Sequence, residues 1–449
     1  MNILFSNPPW WLKKKSKFTN EYLLAKGVRA GSRWPNTFIC RSTPGNRVLK
    51  DYAPFPHFLA AACTYTKKLL KSSNVLFRDS IALADSYDDF FKYLNEKNID
   101  FIVIESQSPS WEHDKTLIKK INKVAPTVKI ILTGPIVNSL GGKNLKDLGV
   151  YSACLGEYDK TVVKAMDSEG KTIGYDLLTV DEMNNSPFPY NDQDHYNLYS
   201  DDTPVKPEYP MFWMWTSRGC PYKCSFCVWP ASMTNNDVDG TSTRVVRKYS
   251  KEYIKEQLQQ NTKKFDYKTI FVDDDTFNLG NKHTIEMSRV LGEIDLPWNA
   301  LVRADTVKME TWDVMKENGC YAVRIGFESG NQELIDTVIN KKLNLKKAAE
   351  VVKYLNKIKI LTHGTFTVGH YKETKEQMEQ TIKYARSIGL YSYQCAGVGI
   401  LEGSPLGKFI RENKMTIDEN DIIVEPDADT KARDMGFDIS HINTPLISR

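Results

Sequence analysis

Short apolar runs alternate with amphipathic stretches over the first 165 residues. The apolar runs predict strands at residues 2–6, 74–79, 100–105, 129–133 and 151–156. The stretches between them, at residues 57–71, 87–96, 113–124 and 144–148, carry apolar side chains at helical spacing. Buried strands that alternate with helices are typical of a parallel sheet covered on both faces. The pattern therefore predicts a doubly wound, Rossmann-like α/β domain over residues 1–165, with any ligand at the carboxyl ends of the strands.

A polar, proline-bearing segment at residues 166–209 lacks this periodicity and predicts a linker. Six further apolar runs follow, at residues 211–216, 269–273, 298–302, 322–327, 361–368 and 392–400. Helical stretches between them lie at residues 248–264, 281–294, 306–317, 345–358 and 374–387. A full β/α barrel has about eight such units, so residues 210–410 predict a partial, TIM-like (β/α)6 barrel. Residues 411–449 are polar and predict a C-terminal extension.

Charge and hydropathy narrow the partners that we expect. The chain has 60 basic and 56 acidic residues and a net charge of +4, without a long block of one sign. This balance predicts no nucleic-acid partner. No run approaches the roughly 20 apolar residues of a membrane span, and the amino terminus leads into a strand rather than a signal peptide. We therefore expect no membrane association and a cytoplasmic location.

Three cysteines lie close together directly after the first strand of the second series. Cys220, Cys224 and Cys227 fall within eight residues, and no histidine is nearby. Thiolates are ligands for zinc and for iron–sulfur clusters, and closed structural zinc sites use four protein ligands. Three ligands predict an open site. A zinc knuckle with a distant fourth ligand and a simple electron-transfer cluster remain as alternatives.

Other polar residues stand where the following strands end. The sequence has Asp273-Asp274-Asp275 after the second strand, Arg303 after the third, Glu328-Ser329 after the fourth, and Gly369-His370-Tyr371-Lys372-Glu373-Thr374 after the fifth. In β/α barrels the chemistry is performed by the loops at the carboxyl ends of the strands. The positions therefore predict one active site that includes the cysteines.

The Cys-x3-Cys-x2-Cys spacing, with Phe226 before the last cysteine, resembles the signature of radical S-adenosylmethionine (radical SAM) enzymes. The resemblance implies that the three cysteines hold a [4Fe–4S] cluster, which cleaves S-adenosylmethionine to a 5′-deoxyadenosyl radical. It also implies a set of S-adenosylmethionine-binding residues: Phe226, Asp273, Asp274, Asp275, Arg303, Glu328 and Ser329. His370 and Tyr371 depart from the family's Gly-x-Pro-x-Glu-Thr pattern. They are candidate catalytic residues for substrate contact or proton handling, with a plain loop hydrogen bond as the alternative for each.

The first domain resembles the cobalamin-binding domain of class B radical SAM enzymes, on Asn7-Pro8-Pro9, Asp79 and the glycines that follow later strands. The resemblance implies a set of cobalamin-binding residues: Pro8, Ser106, Gln107, Gly134, Gly156 and Glu157. The Asp-x-His-x-x-Gly motif that donates a histidine to cobalt is absent, since the corresponding stretch reads Asp79-Ser-Ile-Ala-Leu-Ala84. Cobalamin is therefore expected without a protein histidine on the cobalt.

Together these resemblances imply a cobalamin-dependent methyltransferase that acts on an unactivated carbon or phosphorus centre of a small molecule. An external reductant such as flavodoxin or ferredoxin is the expected protein partner. One alternative is a radical SAM enzyme that catalyses a rearrangement, cyclisation or oxidation without methylation. A second alternative, from a different class, is a non-catalytic iron–sulfur or zinc protein.

Overall fold

The computed structural model describes residues 1–15, 22–29, 42–43, 47–48, 52–142, 145–201, 205, 207–228, 244–399, 401, 403–413, 416–417, 423–424 and 446–447. Most of the predicted C-terminal extension, residues 411–449, lies outside this set. The chain divides into two compact units between residues 202 and 203. Each unit is described by itself.

The first unit is built on a parallel sheet. Its strands are β1 (Asn2–Asn7), β2 (Trp11–Lys15), β3 (Tyr22–Lys26), β4 (Ser42–Thr43), β5 (Arg47–Val48), β6 (Asn74–Asp79), β7 (Phe101–Glu105), β8 (Lys129–Thr133), β9 (Ser152–Cys154) and β10 (Thr172–Ile173). The sheet has the order β10-β9-β8-β7-β1-β6, and its strand pairs are parallel. The pairs β2/β3 and β4/β5 are antiparallel hairpins outside it. The order reverses at β1, as in doubly wound sheets that bind ligands at the switch point.

Helices connect the strands of this sheet. They span His57–Leu69, Tyr87–Glu96, Trp111–Val124, Pro135–Leu140, Thr161–Met166 and Val180–Asn184, with 3₁₀ turns at Ser108–Ser110 and Lys146–Leu148. The sequence pattern missed the helices at Pro135–Leu140 and Thr161–Met166, because six residues are too few to show a helical period. Strand β10 and the helix Val180–Asn184 lie in the stretch predicted as a linker. Their sequences are equally short.

The core of the first unit explains why its strands read as continuous apolar runs. Every residue of β7 is buried, and only the first residue of β8 is exposed. The buried side chains of these strands pack with those of the helices Tyr87–Glu96 and Trp111–Val124 in one cluster. Both faces of the central strands are therefore covered, which confirms the predicted doubly wound fold.

The second unit is built on a second sheet. Its strands are β11 (Met211–Met214), β12 (Ser217–Arg218), β13 (Arg247–Lys248), β14 (Thr269–Val272), β15 (Trp298–Val302), β16 (Cys320–Glu328), β17 (Leu361–Val368), β18 (Ser392–Gly397), β19 (Thr416–Ile417), β20 (Ile423–Val424) and β21 (Leu446–Ile447). The sheet has the order β11-β14-β15-β16-β17-β18-β21. The six strands from β11 to β18 are parallel and follow the order of the chain, and β21 adds an antiparallel edge. The predicted partial (β/α)6 barrel is confirmed.

Helices follow the parallel strands of this sheet. They span Lys251–Lys264, Asn281–Gly292, Met309–Glu317, Gln332–Asp336, Leu345–Lys357, Lys375–Ser387 and Pro405–Glu412. Several begin at a side chain that accepts a hydrogen bond from the first turn, such as Ser250 from the amide of Tyr253 at 3.2 Å. Of the helices that the structure describes, none is both long and apolar enough to cross a membrane.

Candidate active site

The cysteine loop lies at the carboxyl end of β11, where the sequence placed it. Cys220 and Cys224 are buried and Cys227 is partly exposed, and the amide of Cys227 donates to the carbonyl of Cys224 at 3.1 Å. Backbone hydrogen bonds connect Ser225 to two other parts of the unit: its amide donates to Ile339 at 2.9 Å, and its carbonyl accepts from Leu406 at 2.8 Å. Elements far apart in sequence therefore hold the loop in place.

The surroundings of the cysteines decide the charge state of their thiols. Burial, with a contribution from Asp275, raises the pKa of Cys220 to about 11. Burial also raises the pKa of Cys224, and Lys341 and Arg303 oppose this shift. Two cations close to Cys224 thus favour its thiolate form, which is the form that binds metal.

The described residues contain no group of three or more His, Cys, Asp and Glu side chains gathered closely enough to hold a single metal ion. A four-iron cluster is wider than one ion and is held by well-separated thiolates. The donor set, three cysteines on one loop beside two cations, fits such a cluster.

The acidic run after β14 borders the cysteine loop. Asp274 is fully buried, and its Oδ1 accepts from the Thr216 amide at 2.6 Å. Its Oδ2 accepts from the hydroxyls of Thr216 at 2.6 Å and Ser217 at 2.7 Å. Burial raises the pKa of Asp274 to about 6, although these hydrogen bonds oppose the shift. The Thr276 hydroxyl lies 3.5 Å from Cys220 Sγ, so the run touches the cysteine loop at two points.

Arg303, at the end of β15, organises a second side of the site. Its guanidinium donates to the Asp305 carboxylate at 2.9 and 2.7 Å and to the carbonyl of Lys341 at 3.1 Å. It also stacks on the ring of Tyr222, a residue of the cysteine loop, with Cζ 3.6 Å from the ring centroid. Burial lowers the pKa of Arg303 but Asp305 raises it more, so the net pKa is raised and the group stays cationic.

Glu328, at the end of β16, forms a buried ion pair with Lys341 at 2.9 Å. Its backbone has φ of +67°, a left-handed conformation that costs a non-glycine residue about 1–2 kcal/mol. Such strain is often found at functional sites. A Cβ on Gly326 would approach Glu328 Oε1 to 2.3 Å, so glycine is needed beside the ion pair.

Ser329 follows Glu328 and is fully buried. Its hydroxyl hydrogen-bonds with the Thr381 hydroxyl at 3.1 Å and accepts from the Asn331 amide at 3.0 Å. These contacts anchor the loop after β16 to the helix Lys375–Ser387. S-adenosylmethionine binding by Ser329 stays a prediction.

The loop after β17 is shaped by Glu373. Its Oε2 accepts from the amides of Gly369 at 2.6 Å and His370 at 2.9 Å, and its Oε1 is buried without a partner among the described residues. Burial raises the pKa of Glu373 to about 7. Thr374 then begins the next helix by accepting from the Gln377 amide at 3.3 Å. The Gly-x3-Glu-Thr pattern is thus a self-capped turn.

The two candidate catalytic residues lie in this turn. His370 is buried, and its Nε2 lies 2.7 Å from the Thr367 hydroxyl. Burial lowers the pKa of His370 to about 4, so its imidazole is neutral at pH 7. Tyr371 packs edge-on against Phe409 at 5.1 Å. The described contacts are of the loop-packing kind, and a catalytic role for either residue stays a prediction.

Phe226 packs with Tyr371 against an apolar cluster formed by Val398, Leu406 and Ile410. This contact joins the cysteine loop to the ends of β17 and β18. The aromatic position in the cysteine motif therefore has a packing reason within the unit.

The carboxyl edge of the first unit's sheet is organised by Arg29, which has no exposed surface. Its guanidinium forms an ion pair with Asp114, with hydrogen bonds of 2.8 and 2.6 Å to Oδ1. It also donates to the carbonyl of Pro8 at 2.6 Å, and its own carbonyl accepts from Gln107 Nε2 at 2.7 Å. Asp114 Oδ2 accepts from the hydroxyls of Ser106 at 2.5 Å and Ser110 at 2.6 Å. One arginine thus holds the loops after β1 and β7 together.

The predicted cobalamin residues lie at this edge, and most of them have partners within the chain. Pro8, Ser106 and Gln107 contact the Arg29–Asp114 pair, as described above. Gly134 has φ of +103°, and a Cβ there would lie 2.4 Å from the carbonyl oxygen of Ser106. The Gly156 amide donates to Asn138 at 2.7 Å, and Glu157 accepts from the Leu178 amide at 3.2 Å. The structure brings all six residues to the ends of neighbouring strands.

Two hydroxyls near this edge are available to a bound group. Thr133 Oγ1, at the end of β8, and Ser80 Oγ, after β6, are buried and have no hydrogen-bond partner among the described residues. Buried polar atoms usually have partners, so such atoms indicate an absent hydrogen-bonding group. This edge therefore fits a large ligand with polar substituents, as a corrinoid has.

Sequence reasoning missed several residues of both sites. Arg29 and Asp114 are charged residues in a loop and a helix, and nothing in the pattern marks them as partners. Thr216 and Thr276 lie where β11 and β14 end, so their position beside the cysteines was a usable signal. Tyr222 lies between the first two cysteines and could have been found in the same way.

Comparisons with known proteins place these features. Residues 215–385 match the family described as the Radical SAM superfamily. The chain is 25% identical over 358 residues to an uncharacterized methyltransferase of Pyrococcus horikoshii, and the match covers 76% of each protein. It is 27% identical over 267 residues to cytidylyl-2-hydroxyethylphosphonate methyltransferase of Streptomyces wedmorensis, covering 55% of this chain and 47% of that protein. The chain thus spans about half the length of this second relative.

Among solved structures, the fold is similar to that of TsrM from Kitasatospora setae, a radical S-adenosylmethionine methyltransferase solved with cobalamin and a [4Fe–4S] cluster bound. The TM-score is 0.64 at 13% identity, and the match covers 86% of this chain and 83% of that chain. At this identity the likeness shows the fold, and it includes both sheets because the match covers most of each chain.

Proposed function

The chain is a radical SAM enzyme, and from that premise we propose that it is a cobalamin-dependent methyltransferase that acts on a carbon or phosphorus centre of a small molecule. One observation carries the proposal: the three cysteines follow the first strand of a six-stranded parallel series whose other strand ends carry acids and paired cations. The methyltransferase names of two relatives and the fold of TsrM support the choice of reaction. A cytoplasmic location and a reductant such as flavodoxin or ferredoxin belong to the same proposal.

The residues of the second unit divide the work of holding the cofactors. Cys220, Cys224 and Cys227 would hold the cluster, with the cations of Arg303 and Lys341 beside Cys224 stabilising thiolate charge. When bound, the cluster supplies the electron that cleaves S-adenosylmethionine, and the corrinoid carries the methyl group. Such cofactors perform the difficult chemistry, while the protein binds, orients and shields them.

The groups that would bind S-adenosylmethionine follow from the charges at the strand ends. Asp273 and Asp275 stand beside the cysteine loop and would attract the ammonium group. Arg303 and Lys341 would attract the carboxylate, although each already has an acidic partner. Phe226, Glu328 and Ser329 would shape the remaining wall through the packing contacts given above.

In the first unit, Pro8, Ser106, Gln107, Gly134, Gly156 and Glu157 would surround cobalamin. The side chains of Ser106 and Gln107 are held by the Arg29–Asp114 network, so this wall is rigid before the ligand binds. The free hydroxyls of Thr133 and Ser80 would supply hydrogen bonds. Preorganised loops reduce the entropy lost on binding.

The test is anaerobic reconstitution of the full chain, followed by iron, sulfide and corrinoid analysis and by product analysis under reducing conditions. We expect the visible absorption of a thiolate-bound cluster, corrinoid bound in about equal amount to protein, and 5′-deoxyadenosine together with S-adenosylhomocysteine. 5′-Deoxyadenosine alone would contradict methylation. Zinc as the sole bound metal would contradict the whole proposal.

A matched pair of cysteine variants tests the ligand assignment. Cys224→Ala removes a proposed cluster ligand, and Cys320→Ala removes a buried thiol at the start of β16. We expect Cys224→Ala to lose the cluster absorption and Cys320→Ala to keep it. Equal loss in both variants would mean that the effect comes from folding and not from ligation.

A further inference from the structure

Asp274 makes its contacts with the chain itself, at the point where the cysteine loop begins. Thr216 and Ser217, which supply all three hydrogen bonds to its carboxylate, connect β11 to the loop. Both carboxylate oxygens are used, and the side chain has no exposed surface. A carboxylate in this state has little capacity left for a ligand, because it accepts about four hydrogen bonds at most.

The same contact reaches the far end of the loop. The carbonyl of Thr216 accepts from the amide of Tyr249 at 2.9 Å, and Tyr249 lies just beyond the loop along the chain. Strand β12 also pairs with β13, with Ser217 opposite Lys248 and Arg218 opposite Arg247. Because Asp274 fixes Thr216 and Ser217, it fixes the place where the two described ends of the loop meet.

The two neighbouring acids have different surroundings. Asp275 interacts electrostatically with Cys220 and contributes to its raised pKa. Asp273 is anchored through its backbone, where its amide donates to the carbonyl of Met214 at 2.8 Å. The three consecutive acids are therefore not equivalent, although the sequence pattern treats them as one motif.

We propose that Asp274 is a positioning residue that holds both ends of the cysteine loop at the spacing the cluster needs, and that it does not contact S-adenosylmethionine. The inference rests on the proposed function in one respect, that the three cysteines hold a cluster. It divides the acidic run into one structural acid and two acids that remain for the ligand. Residues that hold metal ligands in place commonly change metal affinity about 10- to 100-fold when they are removed.

The test compares Asp274→Asn with Asp275→Asn in the reconstituted full chain. We expect Asp274→Asn to lower the iron retained per chain, against a chelator, by about tenfold. The fraction of Asp274→Asn that carries a cluster should bind S-adenosylmethionine with nearly the wild-type Kd. Asp275→Asn should keep the iron and bind S-adenosylmethionine about tenfold more weakly, as expected when a charged partner is lost. Cluster EPR spectra with and without S-adenosylmethionine report the two effects separately.

Thr216→Val provides the milder variant in case Asp274→Asn folds poorly. It removes one donor to Asp274 Oδ2 while the backbone hydrogen bond to Oδ1 remains. We expect Thr216→Val to weaken iron retention in the same direction, and the double variant to be no worse than Asp274→Asn alone, because both act through one contact. Corrinoid binding by the first unit serves as the folding control.

The inference is overturned if Asp274→Asn or Thr216→Val retains iron as the wild type does, or if Asp274→Asn weakens S-adenosylmethionine binding about tenfold in the cluster-bearing fraction. Failure of the wild type to take up a cluster would be a different result. That result would contradict the proposed function rather than the role of Asp274.

Discussion

Replacing Arg29 with methionine should destabilise the first unit strongly. The guanidinium and its partner Asp114 are both buried, with side-chain exposures of 0% and 1%. Methionine keeps much of the aliphatic volume but removes the positive charge and all the hydrogen bonds of the guanidinium. Asp114 would then be a buried carboxylate whose remaining partners are neutral hydroxyls and the imidazole of His113.

The magnitude follows from breaking one side of a buried ion pair. Such changes typically cost about 3–5 kcal/mol, because the remaining charge stays buried without compensation. Loss of the hydrogen bond to Pro8 adds to this cost, since the carbonyl loses its charged donor. We therefore expect the free energy of opening of the first unit to fall by about 4 kcal/mol at pH 7.

The pH dependence of this loss has a definite sign. Burial alone raises the pKa of Asp114, but Arg29 and the hydrogen bonds lower it more, so the net pKa lies below its usual value. A lowered folded-state pKa contributes stability above the unfolded-state pKa of about 3.9, and this stability is lost as the pH falls through the folded value. In Arg29→Met burial would dominate and the pKa would be raised. The variant should therefore recover part of its loss on acidification, as Asp114 takes up a proton.

Hydrogen–deuterium exchange of the full chain can measure this effect unit by unit. Peptides that cover β1 and β7 report the first unit, while peptides that cover β16 report the second. Arg78→Met is the matched control, because the Arg78–Asp85 pair has similar bidentate hydrogen bonds of 2.7 and 2.8 Å but is 23% exposed on the arginine side. A more exposed pair should cost only about 1 kcal/mol.

Two results would refute the reasoning. One is an equal and small loss in both arginine variants, which would mean that burial of the Arg29–Asp114 pair does not matter. The other is a difference between wild type and Arg29→Met that grows toward acidic pH, because the linkage argument requires it to shrink.

Three further predictions concern stability at other points. Gly134→Ala should cost about 3 kcal/mol, because it combines unfavourable φ with overpacking; Gly170→Ala, with φ of +69° and nothing within 4 Å of the added Cβ, should cost about 1 kcal/mol, and urea unfolding compares the two. Because burial raises the pKa of Glu373 to about 7, its protonated form stabilises the fold, and stability should fall as the pH rises from about 4.3 toward 7; Glu373→Gln should flatten that profile in thermal unfolding scans. Lys341→Met should lower the thermal stability by leaving Glu328 unpaired, and adding Glu328→Gln should recover part of the loss; strictly additive effects would contradict the coupling.

The architecture was largely readable from the sequence, because strands buried on both faces and amphipathic helices have strong periods. Both parallel sheets and the position of Cys220, Cys224 and Cys227 after the first strand of the second unit were predicted. Strand β10 and the helices Pro135–Leu140 and Thr161–Met166 were not, since elements of two to six residues show no period. These short elements depend on tertiary contacts for their stability.

The chemistry of individual side chains was less predictable, because it depends on which polar atoms the fold itself uses. Asp274 and Asp275 are neighbours of the same type, yet one bonds to the chain through both oxygens and the other lies beside Cys220. Ser329 matches a ligand-binding motif, but its hydroxyl is engaged with Thr381. A motif identifies the strand end where the chemistry occurs, and the hydrogen bonds then decide which of its residues remain for a ligand.

This distinction applies to both units. In the first unit the charged pair Arg29–Asp114 uses its polar groups to hold loops, while the uncharged hydroxyls of Thr133 and Ser80 are left without partners. In the second, Asp274 is used in the same way, and Asp275 remains beside the cysteines. Burying a charge is costly unless it is well paired, so a fully paired buried charge is better suited to fixing geometry than to exchanging partners with a ligand. Positioning by such groups explains why variants of residues that touch no cofactor should still change cofactor binding.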